Sequence, residues 1–305
     1  MQQESLNMIE FIKRFQTEEQ CRGFLFKLRW PDGFICPKCA HTEYYEIKSR
    51  NLYHCSKCGY QASVTANTIF HKSHTPLTKW FVAIFMMADD KRGVSAAKLA
   101  RNVNVSPPTA WLILHKIRKA MADRDAGYIL SKIVEIDDVY FGAPEEGGKR
   151  GRGTDKTPGV VILEVDKQGR PLYVKLNVVA NLKGDTLLKT ARKMIVPGTE
   201  VRTDGFKAYN KLSEHEYKVR AENFDPESNP GHLLWLHKVV SNLKAFITGT
   251  YHGLDKKHLQ RYFDEFAYRF NRREFQDQLF SRLLKACTLT STITYRELIS
   301  VHETT

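Results

Sequence analysis

Four of the six cysteines in this 305-residue chain fall in two pairs, Cys36-Pro37-Lys38-Cys39 and Cys55-Ser56-Lys57-Cys58, with residues 40–54 between them. Two Cys-x-x-Cys knuckles at that separation can close a tetrahedral thiolate site around Zn2+. Gly59 suits the left-handed turn that aims backbone amides at sulfur, and Lys38 and Lys57 offset part of the negative charge of a zinc tetrathiolate. Such a site is expected to be structural. His41 and His54 stand beside the ligands, but four cysteines already complete the tetrahedron, so both read as bystanders. Cys21 and Cys287 are unpaired and read as core residues.

A second chemistry is carried by oxygen. Asp137 follows the apolar run that starts at Ile133, and Asp204 follows Val201-Arg202-Thr203. An ionised carboxylate where a buried strand emerges is costly unless a cation binds it. Two such acids on neighbouring strands could hold divalent ions roughly 3.5–4 Å apart, one serving the attacking and one the leaving oxygen of a phosphodiester. Mg2+ suits oxygen ligands, with Mn2+ as the alternative. Either Asp alone reads equally well as the residue that ends a strand or opens a turn. Asp138 reads as a solvated or loop-bonding neighbour, and strand parity leaves an exchange of roles with Asp137 open.

The charge balance points to a polyanionic partner. Lys and Arg number 47 against 34 Asp and Glu, a net charge of +13, which disfavours an ordinary small-metabolite enzyme. Within the basic front part, Ser95 opens a short helical stretch, Val105 closes a turn, and Ser106 before Pro107 caps the next helix. A recognition helix starting at Ser106 would expose Thr109, His115, Lys116, Arg118 and Lys119 to phosphates or bases and turn Trp111, Leu114 and Ile117 inward. The plain alternative is a three-helix bundle with a solvated basic face. The glycine-rich basic stretch at 143–157 carries no phosphate-cradle motif, so nucleotide hydrolysis is not indicated.

These residues need elements to hold them. Helical periodicity covers 4–29, as a packing pair, and returns in three pieces at 77–88, 95–102 and 106–121. Between them, 30–64 is short and turn-rich. From 131 the pattern changes to a meander of strands at 132–140, 159–166 and 171–180, then a helix at 182–193, a strand at 200–203, a short helix at 206–212 and a strand at 217–221. Helical spacing closes the chain at 237–247, 256–271 and 276–285. The start of the chain lacks a secretory signal and the longest apolar run, 81–88, is too short for a membrane span, so a soluble cytoplasmic protein with no membrane partner is expected.

Together these segments resemble insertion-sequence transposases of the DDE superfamily that carry a zinc ribbon, a helix-turn-helix and a ribonuclease-H-like catalytic domain. The resemblance covers nearly the whole chain. Its carriers are the cysteine pairs, the Glu135-Ile136-Asp137-Asp138 strand with Tyr140 and Gly142, Thr203-Asp204-Gly205 with Tyr209, the segment from His237 through Ser241, Asn242 and Lys244 to His252, and residues 257–273. It implies four regions: N-terminal helices (1–29), a zinc ribbon (30–70), an all-α helix-turn-helix region (71–126) and an α/β ribonuclease-H-like mixed-sheet domain with C-terminal helices (127–305). It places the first two acids of a catalytic triad on Asp137 and Asp204. The third position falls on Asn242 where most relatives have Glu, in the manner of a subgroup in which Asn with Lys two residues later stands in, here Lys244. Glu265 is the reserve carboxylate, or else a helix residue paired with Arg269. His237 and His252 read as structural hydrogen-bonders.

The function implied is a transposase that binds terminal inverted repeats and target DNA, cleaves strands with Mg2+ and transfers them, as a homo-oligomer on DNA. Two other readings stay open: a catalytically inactive DNA-binding regulator derived from such an element, and a structure-selective nuclease without strand transfer.

Overall fold

The computed structural model describes residues 6–142, 156–223, 225, 227–229, 231–252 and 254–300; nearly all of the glycine-rich basic stretch lies outside them. Two short helices come first, α1 (Met8–Arg14) and α2 (Glu18–Arg29). Each begins with a reciprocal capping box, Asn7 with Glu10 and Thr17 with Gln20, so the periodic stretch is cut in two by its own second cap. A three-stranded antiparallel sheet follows: β1 (Tyr44–Ile47), β2 (Leu52–Cys55) and β3 (Gln61–Ala62). Asn51, left-handed at φ 54°, turns β1 into β2.

Helices α3 (Leu77–Asp89), α4 (Ala96–Val103) and α5 (Pro107–Asp125) match the three pieces read from the periodicity. The Ser95 hydroxyl accepts from Lys98 N–H at 3.2 Å to cap α4, and Asn104 ends it in the left-handed region at φ 49°. Ser106 accepts from Thr109 N–H at the start of α5.

The chain then builds a five-stranded mixed sheet. β4 (Ile133–Phe141), β5 (Thr157–Val165) and β6 (Pro171–Val178) form the antiparallel meander. Helix α6 (Gly184–Met194) returns the chain so that β7 (Glu200–Thr203) lies parallel to β4, and after the single-turn α7 (Asn210–Ser213), β8 (Lys218–Ala221) lies parallel to β7. The spatial order is β6-β5-β4-β7-β8, the ribonuclease-H-like arrangement that was expected. Helices α8 (Leu234–Thr250) and α9 (Leu259–Phe270) follow.

Strand alternation separates two cores. Ile133, Val139 and Phe141 join the cluster beneath α8 and α9, whereas Val134 and Ile136 join the cluster under α6. Gly159 is where α9 presses on the sheet: a Cβ there would stand 2.9 Å from the Phe263 ring.

The last helices, α10 (Leu279–Leu289) and α11 (Tyr295–Ile299), do not stay with the sheet. The chain divides into one unit running to Arg124 together with Glu274–Ile299, and another spanning Asp125–Arg273. The expected region 127–305 thus spans parts of both compact units. Phe280 of α10 explains why: its ring packs against Phe11, Phe15, Phe81 and Phe85 of the N-terminal helices. Among the described residues no helix is long and apolar enough to cross a membrane.

Candidate active site and zinc centre

The two cysteine knuckles close on one point. In the first, Ala40 N–H donates to the Cys36 carbonyl at 2.9 Å with Ala40 itself left-handed; in the second, Gly59 N–H donates to the Cys55 carbonyl at 3.1 Å with Gly59 at φ 70°. All four sulfurs lie within 4.8 Å of one another, and the Cys36–Cys58 and Cys39–Cys55 pairs are each 3.6 Å apart. Zinc–sulfur bonds of about 2.3 Å in a tetrahedron put sulfurs ~3.8 Å apart, so the residues present fit Zn2+.

Their electrostatics agree. Burial pushes the Cys55 thiol up, but the amides of Cys58 and Lys57 overcome it and bring it down to about 6. Cys39, although the His41 amide favours its thiolate, is pushed up to about 12 by the sulfurs of Cys58, Cys55 and Cys36. One thiolate forms at its neighbours' expense unless a cation neutralises the set. The histidines are bystanders, as read: His41 Nε2 meets Ser56 Oγ at 3.0 Å and His54 stacks on Tyr45.

The sheet brings the acids together by register. β7 lies alongside β4 with Ile136 opposite Thr203, so the next residue on each strand is an aspartate. Carboxylate oxygens of Asp137, Asp138 and Asp204 all lie within 4.8 Å of one another. Asp138, read as a bystander, is thus a member of the cluster. Asp137 Oδ1 accepts from the Asp138 amide at 2.8 Å, and Asp204 Oδ1 from the Phe206 amide at 3.2 Å. Gly205, next to Asp204, has the Asn223 carboxamide packed where a side chain would start.

A histidine also approaches the acids. His237, in the first turn of α8, places Nε2 3.7 Å from Asp137 Oδ2. Ligands on one divalent ion with bonds near 2.1 Å stand roughly 3–4 Å apart, and the His237–Asp137 separation falls in that range, although the mutually close cluster itself is the three aspartates. Burial holds the His237 pKa below its usual value, helped by His232 and opposed by Asp204, which favours the uncharged, metal-ligating form. Asn242 lies five residues further on, about 140° round the helix and ~7.5 Å along it. Asn242 and His237 both line one groove beside the acids. Lys244, seven residues from His237, returns to the same helix stripe two turns later. Seven-residue spacing was the available signal; the two-residue step from Asn242 to Lys244 cannot share a face.

Glu265 is excluded from the reserve role. It is fully buried in α9, with Arg269 Nη2 at 2.9 Å and the Tyr251 hydroxyl against it, so the pairing with Arg269 is the reading that holds. A residue missed entirely is Glu135. It shares the strand face of Asp137, is buried opposite Arg202, and accepts from the Leu236 amide at the start of α8. Burial pushes its carboxyl up, with Arg202 and that amide opposing. It ties the first turn of α8, and with it His237, to β4.

On α5, three of the five residues expected to face DNA are not at the surface. His115, Lys116 and Arg118 are buried. Lys116 Nζ bonds Thr292 Oγ1 at 2.8 Å, and the His115 ring lies 4.0 Å from that of Trp111. Thr109 and Lys119 are half-buried; Arg101, Asn102 and Asn104 at the end of α4 are exposed.

Comparison with known proteins agrees with this layout. Residues 129–271 match the ISXO2-like transposase domain and residues 16–61 the transposase zinc-ribbon domain. A protein of transposable element ISH50 from Halobacterium salinarum is 28% identical over 227 residues, 68% of this chain and 74% of that protein. A transposase-like protein of Haemophilus influenzae is 27% identical over 108 residues, 33% of this chain and 84% of the other. Among solved structures, the Mos1 transposase paired-end complex with left transposon end is similar at 11% identity and a TM-score of 0.17, over 67% of this chain and 78% of that one.

Proposed function

We propose that this chain, which carries the zinc-ribbon and ISXO2-like domains of insertion-sequence transposases, is a DNA transposase that binds the terminal inverted repeats of its element, cleaves DNA strands and transfers the freed 3′-hydroxyl to target DNA. The observation that carries the catalytic reading is the convergence of Asp137, Asp138 and Asp204 with His237 beside them. Asp137 and Asp204 would hold Mg2+, with Asp138 and His237 completing the donor set; the imidazole nitrogen also admits Mn2+. Divalent ions bound there supply Lewis acidity to the attacking and leaving oxygens.

The protein's own groups do the positioning. Backbone pairing of β4 with β7 fixes the carboxylates in relation to each other. Glu135 fixes the helix that delivers His237, and Lys244 on the same stripe offers a cation to a phosphate. Both reaction steps are in-line attacks on phosphorus, so one constellation serves water and then a hydroxyl. DNA contacts fall to the surface that remains accessible on the helical unit, Thr109 and Lys119 with Arg101, Asn102 and Asn104. Joining two element ends requires at least two copies of the chain.

The test is Mg2+-dependent cutting of a duplex that ends in the element's repeat. Asp137→Asn and Asp204→Asn proteins should bind it and leave it whole; equal cutting by either removes the catalytic assignment. Joined products separate transposition from plain nuclease action, and binding without cutting by the unaltered protein would make it a regulator.

A further inference from the structure

A groove lies beside the acids. It has a volume of about 490 Å³. Trp235, Lys238 and Asn242 of α8 form one wall, Phe270 and Arg273 the other, and His237 also lines it. Because His237 is 3.7 Å from Asp137, the groove opens from the reaction centre itself.

Its chemistry is that of a stacking platform flanked by cations. Trp235 is 40% exposed and lines the groove. Lys238 Nζ sits 4.2 Å from the indole centroid. Opposite, the Arg273 guanidinium lies 4.5 Å over the Phe270 ring, anchored by the carbonyls of Leu172 and Phe270 at 3.0 Å. Both basic groups lie over the rings as cation–π partners, and aromatic side chains combined with basic groups in a groove bind single-stranded nucleic acid by stacking bases and pairing phosphates. Asn242 adds a carboxamide that can meet the donor and acceptor edge of a base.

We propose that this groove takes an unpaired nucleotide of the DNA strand lying in the active site, its base stacked on Trp235 and its phosphate beside Lys238. The inference rests on the transposase reading for the identity of the ligand. The nucleotide must be unpaired, since a base inside a duplex has both π faces covered by its neighbours. It must also be near the point of cutting, because His237 belongs to both places. Asn242 thereby gains a role one step from the chemistry.

The experiment uses the full-length protein with Ca2+ in place of Mg2+, and two DNAs: a blunt duplex, and the same duplex ending in a short single-stranded tail that contains 2-aminopurine. The unaltered protein should prefer the tailed DNA by roughly 5- to 150-fold, as one stacked base provides, and should quench the 2-aminopurine emission. Trp235→Ala should bring that ratio to about one, and Trp235→Phe should restore part of it, with circular dichroism verifying that both fold. A ratio of one for the unaltered protein, or a preference that survives in Trp235→Ala, overturns the proposal. So does Trp235 emission that changes with protein concentration in the absence of DNA, which would assign the groove to a second copy of the chain. The two readings fail separately: cutting that needs Asp137 while the tail goes unrecognised leaves the transposase and removes the groove.

Discussion

As a metal donor, the imidazole of His237 would change the charge at the reaction centre. A carboxylate in its place would add a negative charge, whereas a neutral ring adds only a lone pair, so the donor set binds divalent ions less tightly. His237→Ala is expected to lower metal-dependent nicking about 10- to 100-fold, and Asn242→Ala much less; single-turnover cutting of the repeat-ended duplex compares them, and a larger loss in Asn242→Ala would favour the sequence-based assignment. His237→Glu should retain cutting and move metal preference from Mn2+ toward Mg2+. A second residue-scale effect concerns pH. Asp264 is pushed up to about 7 by burial, against the pull of Gln260, Arg261 and Lys175 and with help from Asp125. Its folded pKa exceeds the ordinary 3.8, so the stability it contributes is complete below about pH 3.8 and is lost as pH rises toward 7. Asp264→Asn should flatten the denaturation midpoint across that window and be the more stable protein at pH 8. The pair Asp137 and Asp204 was legible in the sequence because a polar residue ending an apolar strand is a local signal. His237 was not: its meaning depends on the phase of α8 against β4, which Glu135 sets through a contact a hundred residues away in sequence.

Elements show the same contrast. The knuckles were readable because each is closed by bonds within a few residues, and the metal they imply has a direct check. One Zn2+ per chain is expected by elemental analysis, removable with a chelator and absent from Cys55→Ser. Loss of the metal should unfold β1–β3, seen as lost amide protection there, because short strands with so little core depend on metal binding for their stability. Protection that persists in the metal-free protein would contradict a structural role. Helix α5 was placed correctly and its face misjudged. Its basic residues look solvated when read as a lone helix, but Lys116 reaches Thr292, a residue from the far end of the chain. Helical periodicity reports which stripe is apolar; it cannot report that a polar stripe will also be covered.

The whole chain is organised as one unit interrupted by another. The strands and helices of the sheet unit were legible in order from their own periodicity, and the mixed sheet from the family resemblance. The return of α10 was not, because nothing in residues 274–289 distinguishes packing on the sheet from packing on helices made far earlier. Phe280→Ala is expected to destabilise the N-terminal unit by about 3–5 kcal/mol, with hydrogen exchange rising in α2 and α3 while β4 and β5 keep their protection. Equal exchange changes in both units would show that they do not fold as separate cooperative blocks.

That interruption also sets a timetable for synthesis. The aromatic cluster around Phe11, Phe15, Phe81 and Phe85 waits for Phe280, which leaves the ribosome only after every strand of the mixed sheet. A nascent chain released early, or clipped before α10, would thus carry a finished set of acids but an unfinished helical unit. Such a fragment would make a poor competitor for the places on DNA that its intact siblings occupy.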